Sequence, residues 1–139
     1  MNGNFDDLML SLLQYAYDHK VSYTLTTKLD PYTPPVSKPE NKMMIINMNW
    51  HCHEEIPFQT AHELGHIVNR DEGILYYSPG SFKHRFERAA SLKALDIILP
   101  MYIAYGDGES PRNYQTVMEQ LCIPGYLEND VHKKLERLS

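Results

Sequence analysis

Thr60-Ala61-His62-Glu63-Leu64-Gly65-His66-Ile67-Val68 is the stretch whose reading decides the fold and chemistry of this chain. Residues four apart on an α-helix stand one turn above each other on a shared face. His62 and His66 can therefore aim two imidazole nitrogens at one point, as a tetrahedral zinc site needs. Glu63 is displaced by about 100° around the helix. It lies too far round to share the ligand face but close enough to reach a water on the metal, which is where a general base belongs. A His pair at this spacing can also line a polar helix face and bind nothing. The flanking Phe58, Ala61, Leu64, Gly65 and Val68 are apolar or small, however. They predict a half-buried helix, on which two imidazoles and a carboxylate need a reason.

Length and composition bound what surrounds this helix. A chain of 139 residues, 42% hydrophobic and 22% charged, fits a single domain over residues 1–139 with one real core. The formal net charge of −5 and the lack of a basic run argue against direct nucleic-acid binding. Cys52 and Cys122 form no closely spaced framework, so a reduced, cytoplasmic protein is expected. Leu8–Leu13 is apolar but follows Asp6 and Asp7 without a basic segment, so it does not read as a signal peptide. No run of 18 apolar residues occurs, so no membrane span is expected.

Taken in order, residues 5–19 read as an amphipathic helix through Leu8, Leu12, Tyr15 and Ala16. Val21–Thr27 alternates and is rich in β-branched and aromatic residues, which predicts a strand. Residues 29–42 carry Pro31, Pro34, Pro35 and Pro39 and read as a surface loop. Met43–Asn49 predicts a second strand, buried on both faces or packed beneath the His-Glu helix. Trp50–Glu55 reads as a turn, and Pro57 suits the first turn of the helix that follows. Gly73 marks that helix's end and residues 74–80 read as a loop. Ser81 is a candidate N-cap for a helix over 82–98 closed by Pro100. Residues 101–112 predict a loop or a weak continuation, and 113–122 and 127–138 two further helices. The whole predicts an α+β domain: a small β-sheet packed against the active-site helix, with additional helices completing the core. The core spans 43–100 and a helical segment covers 113–138.

A catalytic zinc takes three protein ligands and leaves one position for water. The extended pattern His-Glu-x-x-His-x-x-Gly-x-x-His fails here, because Asn69 and Glu72 stand at the Gly and His positions. Asp71 and Glu72 fall at the end of the same helix and point away. Glu87 is different. On helical spacing it shares a face with Ala90, Ala94, Ile97 and Ile98, where an ionised carboxylate is costly unless paired or metal-bound. The two alanines also allow close approach to another helix. Pairing with Lys83, Arg85 or Arg88 is the competing reading, but these lie on other sides of the helix.

Phe58, Ala61, His62, Glu63, Leu64, Gly65 and His66, followed by Glu87, Ala90, Ala94, Ile97, Ile98, Leu99 and Pro100, resemble the ImmA/IrrE family of small zinc metallopeptidases. The resemblance covers roughly residues 43–100. It implies a zincin-like fold with His62, His66 and Glu87 as Zn²⁺ ligands and Glu63 as the catalytic base. Members are encoded by phages, mobile elements and bacterial chromosomes, and several relieve repression by cleaving a helix-turn-helix repressor. The implied function is thus a metallopeptidase whose partner is a protein substrate of that kind. The chain departs from the family pattern at Ser91 and Lys93-Ala94, where Asn and Phe-Ala are common.

Hydrolysis needs a second electrophile for the developing oxyanion. Tyr76, Tyr77, His84 and His53 are the oxyanion or substrate candidates, and spacing does not choose among them. Asp96, Asn47 and Asn69 are candidates to hold the free imidazole nitrogens. A second class of function is a regulatory binder: an antirepressor that keeps the fold and acts by contact alone. A third is DNA binding, since Met118–Tyr126 followed by Val131 has a helix-turn-helix cadence. Glu119, Glu128, Asp130 and Glu136 oppose it, and packing over the core is the expected role of that segment.

Overall fold

The computed structural model describes residues 2–71, 82–105 and 113–138. It contains helices α1 (Asn2–Asp18), α2 (Ile56–Asp71), α3 (Phe82–Ala104), α4 (Tyr114–Leu121) and α5 (Glu128–Leu138). Strands β1 (Ser22–Thr26), β2 (Val36–Lys38) and β3 (Met43–Asn47) form one mixed sheet in the order β1-β3-β2. The protein is α+β, as its alternating and helical patterns predict.

The sheet follows from side-chain alternation. β3 runs parallel to β1 and antiparallel to β2, with Met44 opposite both Tyr23 and Ser37. Residues paired across strands share a face. Met44 and Ile46, both fully buried, therefore lie on the face carrying Ser37, and this face packs on α2. Met43 and Ile45 on the other face are only partly buried. Of the two arrangements the apolar run allows, β3 takes the one beneath α2, the helix carrying His62, Glu63 and His66.

Residues 29–42 are not wholly loop, contrary to the proline count. Val36–Lys38 forms the edge strand β2, and Pro39–Asn41 a 3-10 turn. Pro34 and Pro35 precede β2 and Pro39 follows it, so none removes a ladder donor. Lys42 then takes the left-handed conformation (φ 51°) to turn the chain into β3, and its ammonium meets Asp71 at 2.7 Å. The rest of the segment is tied down by buried Asn47, whose amide donates to the carbonyls of Asp30 and Thr33, both at 2.9 Å.

α3 also departs from expectation. Pro100 does not close it; the helix continues to Ala104. A proline inside a helix frees the carbonyl four residues earlier, here that of Asp96. Both Pro100 and Asp96 are exposed, so water can satisfy that carbonyl. Meanwhile Met101, Tyr102 and Ile103 pack against the core and hold the last turn.

The core joins α1 (Leu8, Met9, Leu12, Ala16), β3, α2 (Ala61, Leu64, Ile67) and α3 (Ala94, Leu95, Ile98). Each large aliphatic side chain fully buried there contributes about 1.5–3 kcal/mol. α4 is capped by Asn113, whose side chain accepts from the amides of Gln115 and Thr116. Val117 and Leu121 of α4 and Val131 and Leu135 of α5 belong to the same core. The helix-turn-helix cadence of this segment thus accompanies helices packed on the domain, with Asp130 and Lys134 of α5 bound to Arg88 and Asp96 of α3. Among the described residues no helix is long and apolar enough to cross a membrane.

Candidate metal centre

α2 and α3 pack closely, and one residue sets how closely. A Cβ built on Gly65 would collide with the carbonyl oxygen of Ala90 and lie 3.1 and 3.2 Å from that residue's carbonyl carbon and Cα. Glycine at 65 and alanine at 90 together let two helix backbones meet. One turn before Ala90 stands Glu87, brought by this approach over the His62–His66 face.

The side chains converge. His62 Nε2 lies 3.2 Å from one Glu87 carboxylate oxygen and His66 Nε2 lies 2.9 Å from the other. The two imidazoles sit edge to face, with centroids 4.8 Å apart and planes at 86°. One ligand atom from each of His62, His66 and Glu87 falls within 4.8 Å of the others, so the group could hold a metal ion. The donor set fits one chemically: two neutral-capable nitrogens and a hard carboxylate, with a half-exposed mouth at Glu87 (50%) for water or substrate. Burial lowers the pKa of His66, against the pull of the Glu87 charge, and so favours the neutral imidazole a metal requires. The Glu87 carboxylate lies nearer solvent than its helical stripe implies; the stripe is buried from Ala90 onward, and Glu87 sits at its open end.

Glu63 points to the sheet side of α2 and is only 8% exposed. Burial pushes its carboxyl up from 4.5 to about 7; a hydrogen bond with Ser37 pulls it down, and the Glu87 charge pushes it up again. Ser37 sits on β2, on the face turned to α2, so the strand hidden among the prolines supplies the partner of the Glu63 carboxyl. Nothing in the local sequence marks it.

The other free imidazole nitrogen is held by an unforeseen residue. His62 Nδ1 is 3.0 Å from Ser91 Oγ, and Ser91 Oγ is 3.1 Å from the Tyr126 hydroxyl. Ser91 follows Glu87 by one helical turn, so its position on the ligand face was legible in the spacing. Two of the three residues expected in this role work elsewhere. Asn47 organises the 30–33 loop, Asp96 pairs with Lys134 at 2.6 Å, and Asn69 is buried with its amide nitrogen unpartnered among the described residues.

Of the oxyanion candidates, Tyr76 and Tyr77 lie outside the described residues, as does the Ser81 cap. His53 stacks on Phe5 of α1, centroids 3.9 Å apart. His84 is exposed on the first turn of α3, three residues before Glu87 and on its side of the helix. Asp71 is engaged by Lys42 at the end of α2. Comparison with protein-family models, curated proteins and solved structures returns no significant match.

Proposed function

We propose that this protein is a zinc-dependent metallopeptidase of zincin-like fold that cleaves a specific protein, with a helix-turn-helix repressor as the substrate class. The observation that carries the reading is the convergence of His62, His66 and Glu87 beside a buried carboxylate whose pKa stands near neutrality. The motif resemblance to ImmA/IrrE peptidases supports the substrate class.

His62 Nε2, His66 Nε2 and Glu87 would hold the ion. When bound, Zn²⁺ supplies an acidified water and polarises the scissile carbonyl. Glu63 would take a proton from the attacking water and return it to the departing amine. A carboxyl near pH 7 suits both halves of that exchange, since it gains and loses a proton with little driving force lost either way. Ser37 steadies the ionised form. β2 is the sheet's edge and touches the base through Ser37, so an extended substrate segment added to that edge would pass over Glu63. His84, one turn before Glu87 on the same side of α3, is the described oxyanion candidate on the Glu87 side.

The test uses zinc-loaded protein and the helix-turn-helix repressor encoded nearest to its gene. Wild-type protein should produce repressor fragments, and Glu63→Gln should keep zinc but yield none. Glu87→Ala should lose the metal. Release of the repressor from its operator by both wild type and Glu63→Gln, without fragments, would establish the antirepressor reading instead.

A further inference from the structure

We propose that Tyr126, reaching from the C-terminal segment, is a positioning residue for the metal ligand His62 and acts through Ser91. The inference rests on the metal-centre reading. An imidazole has two polar atoms. His62 commits Nε2 to the Glu87 cluster, so the ring's orientation depends on what engages Nδ1. That partner is the Ser91 hydroxyl at 3.0 Å. A serine hydroxyl rotates freely about its C–O bond and fixes a ring only when its own hydrogen bonding is fixed. The Tyr126 hydroxyl at 3.1 Å supplies this second contact. Ser91 is buried, so water does not substitute readily for either bond.

The competing explanation is that the Ser91–Tyr126 bond merely fastens the C-terminal segment to α3. That fastening is already provided. Leu127, Val131 and Leu135 are buried beneath the segment, and the Asp130–Arg88 and Lys134–Asp96 pairs flank it at 3.0 and 2.6 Å. The Tyr126 side is 61% exposed, so the residue contributes little burial. What it does contribute is a hydroxyl at the serine that touches His62. Two hydroxyls in series also suit this position chemically, because each can donate or accept. The chain therefore fits His62 whether Nδ1 carries a proton or not.

The experiment measures Zn²⁺ affinity by chelator competition and the visible spectrum of the Co²⁺-substituted protein, for wild type, Ser91→Ala, Tyr126→Phe and Asp130→Asn. Removing a group that orients a ligating His weakens metal binding about 10- to 100-fold. Ser91→Ala should fall in that range. Tyr126→Phe, one bond further out, should weaken binding about 3- to 10-fold, with a shifted Co²⁺ spectrum and the same melting temperature in chelator. Asp130→Asn should leave affinity and spectrum unchanged. Tyr126→Phe with wild-type affinity and spectrum overturns the assignment. So does Asp130→Asn weakening the metal as much as Tyr126→Phe, because general docking would then explain both. Wild-type protein that takes up neither Zn²⁺ nor Co²⁺ removes the centre itself, a failure distinguishable from the other two.

Discussion

Replacing Gly65 by alanine sets two effects of known size against each other. Within a helix the change alone favours folding by about 1 kcal/mol, since alanine loses less backbone freedom than glycine. Against this stands the Ala90 carbonyl group, which the new methyl would strike, with that residue's carbonyl carbon and Cα only 3.1 and 3.2 Å away. Helix backbone has no rotamer to swing aside, so α3 must move outward by about an ångström to restore contact distance. Forcing a methyl into a packed interface costs typically about 1–3 kcal/mol. Here the interface is the α2–α3 seam of the core, and relief separates backbones that make it. Gly65→Ala should therefore lower stability by a net amount of roughly 1–2 kcal/mol, a fall of several degrees in Tm. Glu87 stands one turn from the clash and would move with α3. Metal–ligand distances tolerate only about 0.2 Å, so if the proposed zinc site is correct, zinc affinity should fall well beyond the change in stability. Thermal denaturation in chelator and zinc competition measure the two effects separately. A variant that melts higher than wild type and binds zinc equally well would refute the close-approach account.

Two further outcomes follow from Glu63. Its carboxyl is raised in the folded protein from 4.5 to about 7, so its favourable contribution is complete below pH 4.5 and is lost as pH rises through about 7. At roughly 1.4 kcal/mol per pH unit, ionising it in place costs at most about 3–4 kcal/mol. Glu63→Gln should accordingly stabilise chelator-treated protein at pH 8 more than at pH 5; an equal effect in urea melts at both pH values would contradict the burial assigned to this group. Ser37→Ala removes a hydrogen bond that favours the ionised carboxylate. In the proposed peptidase reaction the acidic limb of the kcat/KM profile should then move to higher pH by roughly several tenths of a unit, and an unmoved limb would show that Ser37 does not tune Glu63.

The amino-acid sequence by itself determined what is local. Helical spacing put His62 and His66 on one face and Glu63 beside it, and the alternation of Met44 and Ile46 with their neighbours made a strand. The Glu87-Ala90-Ala94 spacing marked the third donor because a carboxylate at the end of an apolar stripe invites a partner within reach of the next helix. Proline counting misled twice for the same reason. It weighs the lost donor and not where the freed group points: β2 survives between prolines that take no ladder bond, and α3 runs through Pro100 because the unpaired carbonyl faces water. Tertiary structure decided what depends on two segments meeting. Ser37 reaches Glu63 only because β2 pairs with β3 in a register that turns it toward α2. Ser91 gains a meaning beyond its helix when Tyr126, thirty-five residues later, closes the hydrogen bond. Near-neighbour spacing is written in the chain because a helix or strand repeats at a fixed period. Contacts between distant segments are not, because they depend on how closely those elements pack, which between α2 and α3 requires the missing methyl group at Gly65.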